Sequence, residues 1–275
     1  MQKKQIDFSK YTSIKIGSIN EVTIIESPLD YYEILNTYKT PKIIGFANNL
    51  LVAPNTNELI KLGNEFDYIK DCEDYLEVGA NTKSGRLFSY AKKNNLSGFE
   101  ILCGLPGSIG GIIKMNAGLK EYEIKKNLLG ILSIKDSRKL EFIDSKLLNL
   151  GYRTSNINSL IFAGIFKKEV GFNESLVPLF RQMRSNQPKE PSFGSCFKNP
   201  PNNFAGKIIE ECGLKGIGFG KNKSLMFSPK HANFLINLGD SSFFDAIELI
   251  SLAKQKALEI HKIQLQEEVQ ILQGE

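Results

Sequence analysis

A strand–helix–strand pattern near the start of the chain restricts the fold more than any other feature. The β-branched run at residues 22–25 predicts a strand. Residues 27–30 then predict a helix start, because serine caps helices, proline suits the first helical position and aspartate completes a capping box. This helix should run to about Tyr38, and residues 42–44 should form the next strand. Such a β-α-β unit indicates a mixed fold with a polar loop, residues 45–49, that can face a ligand.

The rest of the chain continues to mix strands and helices. Further strands are predicted at residues 50–52, 75–78, 161–166 and 233–237. Helices are predicted at residues 83–94, at 204–212 and after Ser242, where apolar residues recur every three or four positions. Residues 128–135 and 139–144 predict a hairpin around 136–138, and the polar segment 181–191 is the best linker candidate.

Composition and charge exclude several classes of protein. The 275 residues, 41% of them hydrophobic and 24% charged, are typical of a soluble protein of two or three domains. The net charge of +5 comes from scattered lysines and arginines, which does not indicate a nucleic-acid surface. The four cysteines contain no CxxC pair, the two histidines have no partner at ligand spacing, and no metal site is predicted. Without a secretory signal or a long apolar run, we expect a cytoplasmic protein with reduced thiols.

Two glycine- and asparagine-containing segments are candidates for cofactor binding. The stretch Gly104-Leu-Pro-Gly-Ser-Ile-Gly-Gly111 has four glycines in eight residues. Glycines let the backbone approach a ligand and aim N–H groups at phosphate, but a tight structural loop is equally compatible with the spacing. The nearby Met115-Asn-Ala-Gly118 adds an amide and small residues. The loop 45–49 offers two asparagines, for which an ordinary turn is the simpler interpretation.

The candidate catalytic groups lie far apart in sequence. Residues 194–200, Gly-Ser-Cys-Phe-Lys-Asn-Pro, place a hydroxyl, an ammonium and a carboxamide in one short turn. This set can hold an anionic substrate and donate a proton to it. The guanidinium of Arg153 suits a carboxylate or a developing enolate, although most arginines are simply solvated. Glu268, taken alone, is one acid of an exposed pair with Glu267.

Taken together and in order, these segments resemble the UDP-N-acetylenolpyruvoylglucosamine reductase family, the flavin enzymes called MurB. The family patterns GxPGSxGG…MNAG, YRxS, GSxFKNP and LExEV match residues 104–118, 152–155, 194–200 and 265–269. Residues 205–216 and 230–234 are also similar to the family. The usual GGGSN loop is replaced by Gly45-Phe-Ala-Asn-Asn49, and Gln266 replaces a common glutamate. The short span from Arg153 to Ser195 resembles the compact branch that lacks a substrate-covering loop and its tyrosine.

The resemblance implies an α+β fold. Two FAD-binding subdomains of the PCMH/vanillyl-alcohol-oxidase type, residues 1–62 and 63–178, would precede an α+β substrate domain at 179–262 and a tail, 263–275, that returns to the active site. The implied activity is the NADPH-dependent, FAD-mediated reduction of UDP-N-acetylglucosamine enolpyruvate to UDP-N-acetylmuramate in peptidoglycan precursor synthesis. A cytoplasmic monomer without nucleic-acid or membrane partners is implied as well.

The resemblance also assigns roles to residues. Ser195 matches the proton donor, Arg153 and Glu268 match the pair that stabilises negative charge, and Lys198 and Asn199 match substrate-binding positions. The cofactor-binding residues that it implies are Gly45, Asn48, Asn49, Leu50, Gly104, Pro106, Gly107, Ser108, Gly110, Gly111, Asn116 and Gly118.

Two other functions remain open at the level of sequence. The first is another FAD-dependent oxidoreductase of the same fold, which would share residues 104–118 without needing Ser195, Arg153 and Glu268 together. The second is a non-enzymatic nucleotide-binding module, which would purify colourless and bind no FAD.

Overall fold

The computed structural model describes residues 1–134 and 138–274, and the chain divides into two compact units. Unit 1 comprises Met1–Lys4, Val22–Phe46 and Glu58–Ser185. Unit 2 comprises Gln5–Glu21, Ala47–Asn57 and Asn186–Glu275. Both units are therefore built from separate stretches of sequence.

Helices and strands alternate along the described residues. The α-helices are α1 (Phe8–Tyr11), α2 (Pro28–Thr37), α3 (Ser84–Lys93), α4 (Ile109–Lys114), α5 (Leu176–Met183), α6 (Ala205–Glu211) and α7 (Phe243–His261). The strands are β1 (Gln2–Asp7), β2 (Ile19–Ile25), β3 (Lys42–Ile44), β4 (Leu50–Val52), β5 (Leu59–Leu62), β6 (Ile69–Asp71), β7 (Tyr75–Gly79), β8 (Gly118–Leu119), β9 (Tyr122–Glu123), β10 (Leu128–Ser133), β11 (Glu141–Asp144), β12 (Ile161–Lys167), β13 (Ser192–Ser195), β14 (Leu225–Phe227), β15 (Phe234–Asn237) and β16 (Gln270–Leu272). None of the helices in the described ranges is long and apolar enough to cross a membrane.

The predicted β-α-β unit is confirmed. Strand β5 pairs in parallel with both β2 and β3, in a sheet of order β1-β2-β5-β3. At the start of α2 the Ser27 hydroxyl accepts the N–H of Asp30, and the Asp30 carboxylate accepts the N–H of Ser27 at 3.0 Å. This reciprocal capping satisfies two backbone donors that the helix itself leaves unpaired, so the helix begins where the sequence predicts.

A five-stranded antiparallel sheet of order β11-β10-β12-β7-β6 forms the second layer of unit 1. Strands β10 and β11 pair in antiparallel register with Ile131 opposite Ile143, as the predicted hairpin requires. The turn predicted at 136–138 falls partly outside the described residues, which omit 135–137. All residues of β12 except its last are buried, so this apolar run is a central strand covered on both faces.

Aromatic side chains hold the core of unit 1 together. Phe162 of β12 contacts Phe66 and Tyr31, with ring centroids 5.2 Å and 5.8 Å away. The Tyr31 hydroxyl also accepts the N–H of Leu160 at 3.1 Å, which satisfies its polar end inside the core. Phe99 packs edge-on against Phe166 at 5.6 Å.

Unit 2 contains a three-stranded antiparallel sheet, β13-β15-β14, and a separate parallel pair, β16 with β4. Helix α7 buries one face, formed by Phe243, Ala246, Leu249, Ile250, Ala253 and Ala257. These residues follow the helical period of the sequence, so the predicted amphipathic helix is confirmed. Helix α6 ends before Gly213, which adopts φ +71° and is the predicted stop.

Two predicted loops differ from the structure. The linker candidate 181–191 begins inside α5, which continues to Met183 and buries Phe180 completely. The last residues of the glycine-rich segment are helical and not a loop, because α4 begins at Ile109 with Ser108 as its cap. In both places a short helix is fixed by burial of one apolar side, which outweighs the local preference of the polar and glycine residues for a loop.

The contribution of helix capping to stability can be tested at the start of α7. The Ser242 hydroxyl accepts the N–H of Asp245 at 3.1 Å, and Ser242→Ala removes that acceptor. We expect the free energy of unfolding, measured by urea denaturation, to fall by about 1 kcal/mol. Ser251→Ala, at an exposed position within the same helix, is the control. Because alanine favours helices, this control should be neutral or slightly stabilising; equal losses in the two variants would contradict the capping role.

Candidate active site

Backbone hydrogen bonds hold the glycine-rich segment of unit 1 in place. Gly104 and Gly107 adopt φ values of +67° and +138°, which other residues rarely adopt. The Gly107 carbonyl accepts the N–H of Ser84 at 3.0 Å. On the preceding turn, Arg184 donates to the carbonyls of Cys103 at 2.7 Å and Ile101 at 3.2 Å. The segment is therefore a rigid, anchored turn, of which Gly104 and Pro106 are exposed.

Helix α4 packs so closely on Ala80 that Gly110 is required for packing. A Cβ atom on Gly110 would lie 2.9 Å from the Cβ of Ala80, and the Gly110 N–H donates to the Ala80 carbonyl at 2.9 Å. Gly111 is exposed, and a Cβ atom there would meet only the Ser108 hydroxyl at 3.4 Å. Of these two predicted cofactor residues, Gly110 thus has a purely structural reason to be glycine.

The loop after β3 meets the glycine-rich segment within unit 1. A Cβ atom on Gly45 would lie 2.6 Å from the Ser108 hydroxyl oxygen, so a larger residue there would displace the hydroxyl that caps α4. Next to it, the ammonium of Lys61 lies 5.2 Å from the centre of the Phe46 ring. This cation–π contact holds an aromatic side chain at a position where the family pattern has glycine.

Two hydrogen bonds join the segment around Asn116 to the segment around Arg153. The Asn116 side-chain amide donates to the Gly151 carbonyl at 2.9 Å, and the Arg153 guanidinium donates to the Gly118 carbonyl at 2.7 Å. Both residues are in the left-handed backbone region, with φ of +40° for Asn116 and +52° for Arg153. Such strain at a non-glycine residue persists only where surrounding contacts enforce it, and it is common at functional sites.

These residues of unit 1 fit a flavin. The Asn116 side-chain oxygen is buried and accepts no hydrogen bond within residues 1–134 and 138–274. A buried acceptor without a donor is costly, and an N–H group of a bound cofactor would satisfy it. The exposed backbone of Gly104 and Gly111 adds surface that a flat ring or a phosphate can approach.

In unit 2 the predicted residues Asn48, Asn49 and Leu50 adjoin the C-terminal tail or the N-terminal segment. The Asn49 side-chain amide donates to the Glu268 carbonyl at 3.0 Å, and the Gln270 N–H donates to the Asn49 carbonyl at 3.0 Å. Leu50 faces Gln270 in the parallel β4–β16 pair. The Asn48 carbonyl accepts the Ser13 hydroxyl at 3.1 Å, so these backbone and amide groups are committed to the fold of unit 2.

The backbone of Cys196 joins the segment that contains Ser195 to the segment that contains Glu268. The Cys196 carbonyl accepts the N–H of Glu268 at 2.8 Å, while the Cys196 N–H donates to the Asn233 carbonyl at 2.7 Å. Burial raises the pKa of the Cys196 thiol, and the carboxylates of Glu267 and Glu268 raise it further. Cys196 is thus a neutral core residue, and its thiol does not supply a thiolate to this turn.

The polar groups that follow Ser195 are partly committed to structure and partly free. The Asn199 side-chain oxygen accepts the N–H of Ala205, the first residue of α6, at 3.1 Å. This bond leaves the Asn199 amide N–H groups as donors. Lys198 is fixed through its backbone N–H, which donates to the Gln266 carbonyl at 2.9 Å. Glu267, in contrast, pairs with Lys254 of α7 at 2.6 Å.

A cavity of about 320 Å³ opens beside Ser195, entirely within unit 2. Its lining includes Asn199, Phe204 and His231, together with three lysines, Lys207, Lys215 and Lys230, and one glutamate, Glu210. No described residue makes a hydrogen bond to the Ser195 hydroxyl, which leaves it free to meet a ligand. Lys215 pairs with Glu210 at 2.9 Å and Lys207 lies 3.8 Å from Glu211, so the lining keeps an excess of positive charge next to Ser195. This excess suits an anionic ligand.

His231 lies in this cavity as a neutral imidazole. Its Nδ1 accepts the N–H of Asn233 at 3.3 Å. Burial lowers the pKa of His231, and the nearby Lys215 lowers it further. With Nδ1 used as an acceptor, the proton of the neutral ring is on Nε2.

Comparison with known proteins identifies the family. The model for "UDP-N-acetylenolpyruvoylglucosamine reductase, C-terminal domain" matches residues 187–272. Over 99% of the chain and 100% of the relative, the sequence is 48% identical to the UDP-N-acetylenolpyruvoylglucosamine reductase of Helicobacter hepaticus. The chain belongs to the UDP-N-acetylenolpyruvoylglucosamine reductase family. It is also 42% identical to the corresponding reductase of Campylobacter jejuni strain RM1221, over 97% of the chain and 99% of that relative.

A solved member of this family has the same fold. The crystal structure of UDP-N-acetylenolpyruvylglucosamine reductase (MurB) from Thermus caldophilus matches with a TM-score of 0.85 and 28% identity. The match covers 99% of this chain and 100% of that one. The α+β fold class and the family resemblance predicted from sequence are therefore confirmed.

Several residues of these sites were given no role from sequence, among them Arg184, Lys215 and His231. Lys215 and His231 lie in segments that resemble the family. Their positions in these segments were the one sequence feature that could have indicated a role. Arg184 lies in the segment interpreted as a linker, and its two backbone contacts depend on tertiary structure that no local pattern reveals.

The different environments of Gly110 and Gly111 lead to a prediction. Gly110→Ala should destabilise the protein by about 1–3 kcal/mol, because the added methyl group overpacks the contact with Ala80. Gly111→Ala should be neutral or stabilising, because the position is exposed and alanine favours helices. Thermal unfolding of the two variants beside wild type measures the difference, and equal melting temperatures would refute the packing argument.

Proposed function

We propose that this protein reduces the enolpyruvyl ether of UDP-N-acetylglucosamine to UDP-N-acetylmuramate, an oxidoreductase reaction of peptidoglycan precursor synthesis, with NADPH as the reductant and FAD as the cofactor. The proposal depends above all on the Ser195 hydroxyl, which lies at the edge of a cationic cavity and makes no hydrogen bond to any described residue. The membership of the family adds the substrate class. Bound FAD supplies the hydride-transfer chemistry between NADPH and the substrate.

The residues proposed to hold FAD are those matched by the family patterns. In unit 1 they are Gly45, Gly104, Pro106, Gly107, Ser108, Gly110, Gly111, Asn116 and Gly118. In unit 2 they are Asn48, Asn49 and Leu50. The unsatisfied Asn116 side-chain oxygen and the anchored glycine backbone support this assignment.

Ser195 is proposed to donate the proton that completes the reduction. When hydride reaches the terminal carbon of the enol ether, negative charge develops on the adjacent carbon and its carboxylate. That carbon takes the proton from the Ser195 hydroxyl. A serine hydroxyl is a weak acid, so the transfer requires a strongly basic acceptor at short range. The unbonded state of this hydroxyl supports such a role, because no partner within residues 1–134 and 138–274 competes for its proton.

Arg153 and Glu268 are proposed to stabilise the negative charge. A guanidinium matches the geometry of a carboxylate with two parallel donors. Glu268 donates a hydrogen bond to that carboxylate only in its protonated form. Fixed donors of this kind stabilise the transition state because they need no reorganisation when charge develops.

The anionic diphosphate of the substrate is proposed to occupy the cavity of unit 2. The lysines and the Asn199 amide supply charge and N–H donors, and Lys198 stands beside Asn199 in the same turn. This arrangement needs no covering tyrosine, in keeping with the short span between Arg153 and Ser195.

We also propose a domain organisation and a cellular location for the protein. The division into residues 1–62, 63–178, 179–262 and 263–275 is retained, with the tail returning to the active site. We further propose a cytoplasmic monomer without nucleic-acid or membrane partners. The four cysteines are free thiols, as is usual in a reducing compartment.

An anaerobic two-step experiment tests the function. NADPH should bleach the yellow spectrum of the purified protein, and the enolpyruvyl sugar nucleotide should then restore it. A protein that purifies without flavin, or that is reduced but not reoxidised by this substrate, would contradict the proposal.

Ser195→Ala separates the two half-reactions. The variant loses only the hydroxyl, so we expect flavin reduction by NADPH to stay near the wild-type rate. Reoxidation by the enolpyruvyl substrate should slow by about 10²–10⁴-fold, the usual cost of removing a general acid. Stopped-flow absorbance measures both steps, and an equal loss in both would overturn the assignment.

Glu268 and Glu267 form a matched pair of neighbouring acids. Glu268→Gln should lower kcat without a comparable loss of stability, and Glu268→Ala should lower it more, because the carboxamide can still donate a hydrogen bond. Steady-state kinetics and thermal unfolding together separate a catalytic effect from a structural one.

Glu267→Gln is the control for these variants. It breaks the half-exposed ion pair with Lys254, which contributes at most about 1 kcal/mol to stability. Its kcat should stay at the wild-type value. If both Glu268 variants match Glu267→Gln in kcat, the catalytic role of Glu268 is wrong.

A further inference from the structure

An aromatic side chain stands exposed at the rim of the cavity in unit 2. Phe204 lines this cavity together with Ser195 and Asn199, yet 68% of its surface is accessible to solvent. Phenylalanines are usually buried, and the largest buried side chains of this chain are mostly phenylalanines. Of the exposed phenylalanines in the described ranges, only Phe204 contributes to this pocket.

The local backbone fixes Phe204 in this exposed position. Phe204 is the residue before the first turn of α6, in an extended conformation with φ −118° and ψ +125°. Its N–H donates to the Asn203 side-chain oxygen at 2.8 Å, and the next N–H, that of Ala205, donates to Asn199. The backbone N–H groups of Phe204 and Ala205 are thus both hydrogen-bonded, so the backbone of Phe204 is fixed at the helix start.

The neighbouring groups define what the ring can bind. The lysines and the Asn199 amide favour the charged part of a ligand, while Phe204 offers an apolar π-face at the edge of the same space. Close to the helix start, a Cβ atom on Gly206 would come within 3.5 Å of the His231 ring, which leaves that part of the cavity narrow. A ligand with an anionic centre and a planar aromatic end matches this arrangement of cations beside an exposed ring.

We propose that Phe204 is a specificity-determining residue that stacks on the uracil base of the nucleotide-sugar substrate. This inference rests on the proposed function, since it takes the substrate to be a uridine diphosphate sugar. The ring contacts the base alone, so it contributes to substrate affinity and not to the chemistry at Ser195. Stacking of a base on an aromatic ring commonly changes affinity about tenfold to hundredfold.

Phe204→Ala tests the proposal in the FAD-loaded enzyme. The KM for the enolpyruvyl sugar nucleotide should rise about tenfold to hundredfold, with kcat at saturation unchanged. Binding of UDP, followed by calorimetry, should weaken by the same factor. Inhibition by inorganic pyrophosphate, which has no base, should not change. Phe204→Tyr keeps the ring face and should remain within about twofold of wild type in every measurement.

Phe244→Ala is the matched control. Phe244 is equally exposed, at 68%, but lies on α7 and does not line the cavity. This variant should bind UDP as tightly as wild type, and its flavin absorbance should be unchanged, as should that of Phe204→Ala.

The possible outcomes distinguish failure of the stacking role of Phe204 from failure of the proposed function. If wild type reduces the substrate but Phe204→Ala binds UDP normally, the stacking role is wrong and the function stands. If Phe204→Ala weakens pyrophosphate as much as UDP, the effect is a distorted cavity, and the base contact is also wrong. If wild type neither binds UDP nor turns over the substrate, the proposed function fails and the inference fails with it.

Discussion

The parallel pairing of β16 with β4 is the contact on which the candidate site of unit 2 depends. Next to this pair, the hydrogen bond from the Asn49 side chain to the Glu268 carbonyl joins residues separated by 219 positions. The same tail bonds to Cys196 and Lys198 through its backbone. Because these contacts use main-chain groups, they place Ser195 and Glu268 in one region whatever side chains surround them.

Three residues in or next to the proposed site are among the non-glycine residues with positive φ. Ala47, Asn116 and Arg153 all adopt positive φ, at +51°, +40° and +52°, although none is glycine. Each conformation costs free energy, and neighbouring hydrogen bonds offset the cost: Ser13 to the Ala47 carbonyl, Asn116 to Gly151 and Arg153 to Gly118. At Ala47 the chain thus adopts a left-handed backbone conformation where the family pattern has a glycine.

Sequence patterns predicted the elements whose signals are local. The α2 capping box, the apolar face of α7 and the stop at Gly213 each depend on residues within one or two turns. The short strand β13 and Arg184 were missed because their contacts depend on distant partners, which are β15 for the strand and the carbonyls of Ile101 and Cys103 for the arginine. The roles at Arg153 and Glu268 came from the ordered family motifs, since spacing alone favoured ordinary surface residues. For Ser195 the local turn by itself indicated a group that could donate a proton to an anionic substrate.

The discontinuous composition of unit 2 has a consequence for how the protein folds during synthesis. All of unit 1 has been translated once Ser185 is complete, whereas unit 2 takes its N-terminal pieces from residues 5–21 and 47–57 and its remainder from 186 onward. Strand β4 obtains its partner β16 only from the last few residues. We therefore expect unit 1 to complete its core earlier during synthesis, while unit 2 cannot form the β4–β16 pair until residues 270–272 have been made and has the larger loop-closure entropy to overcome.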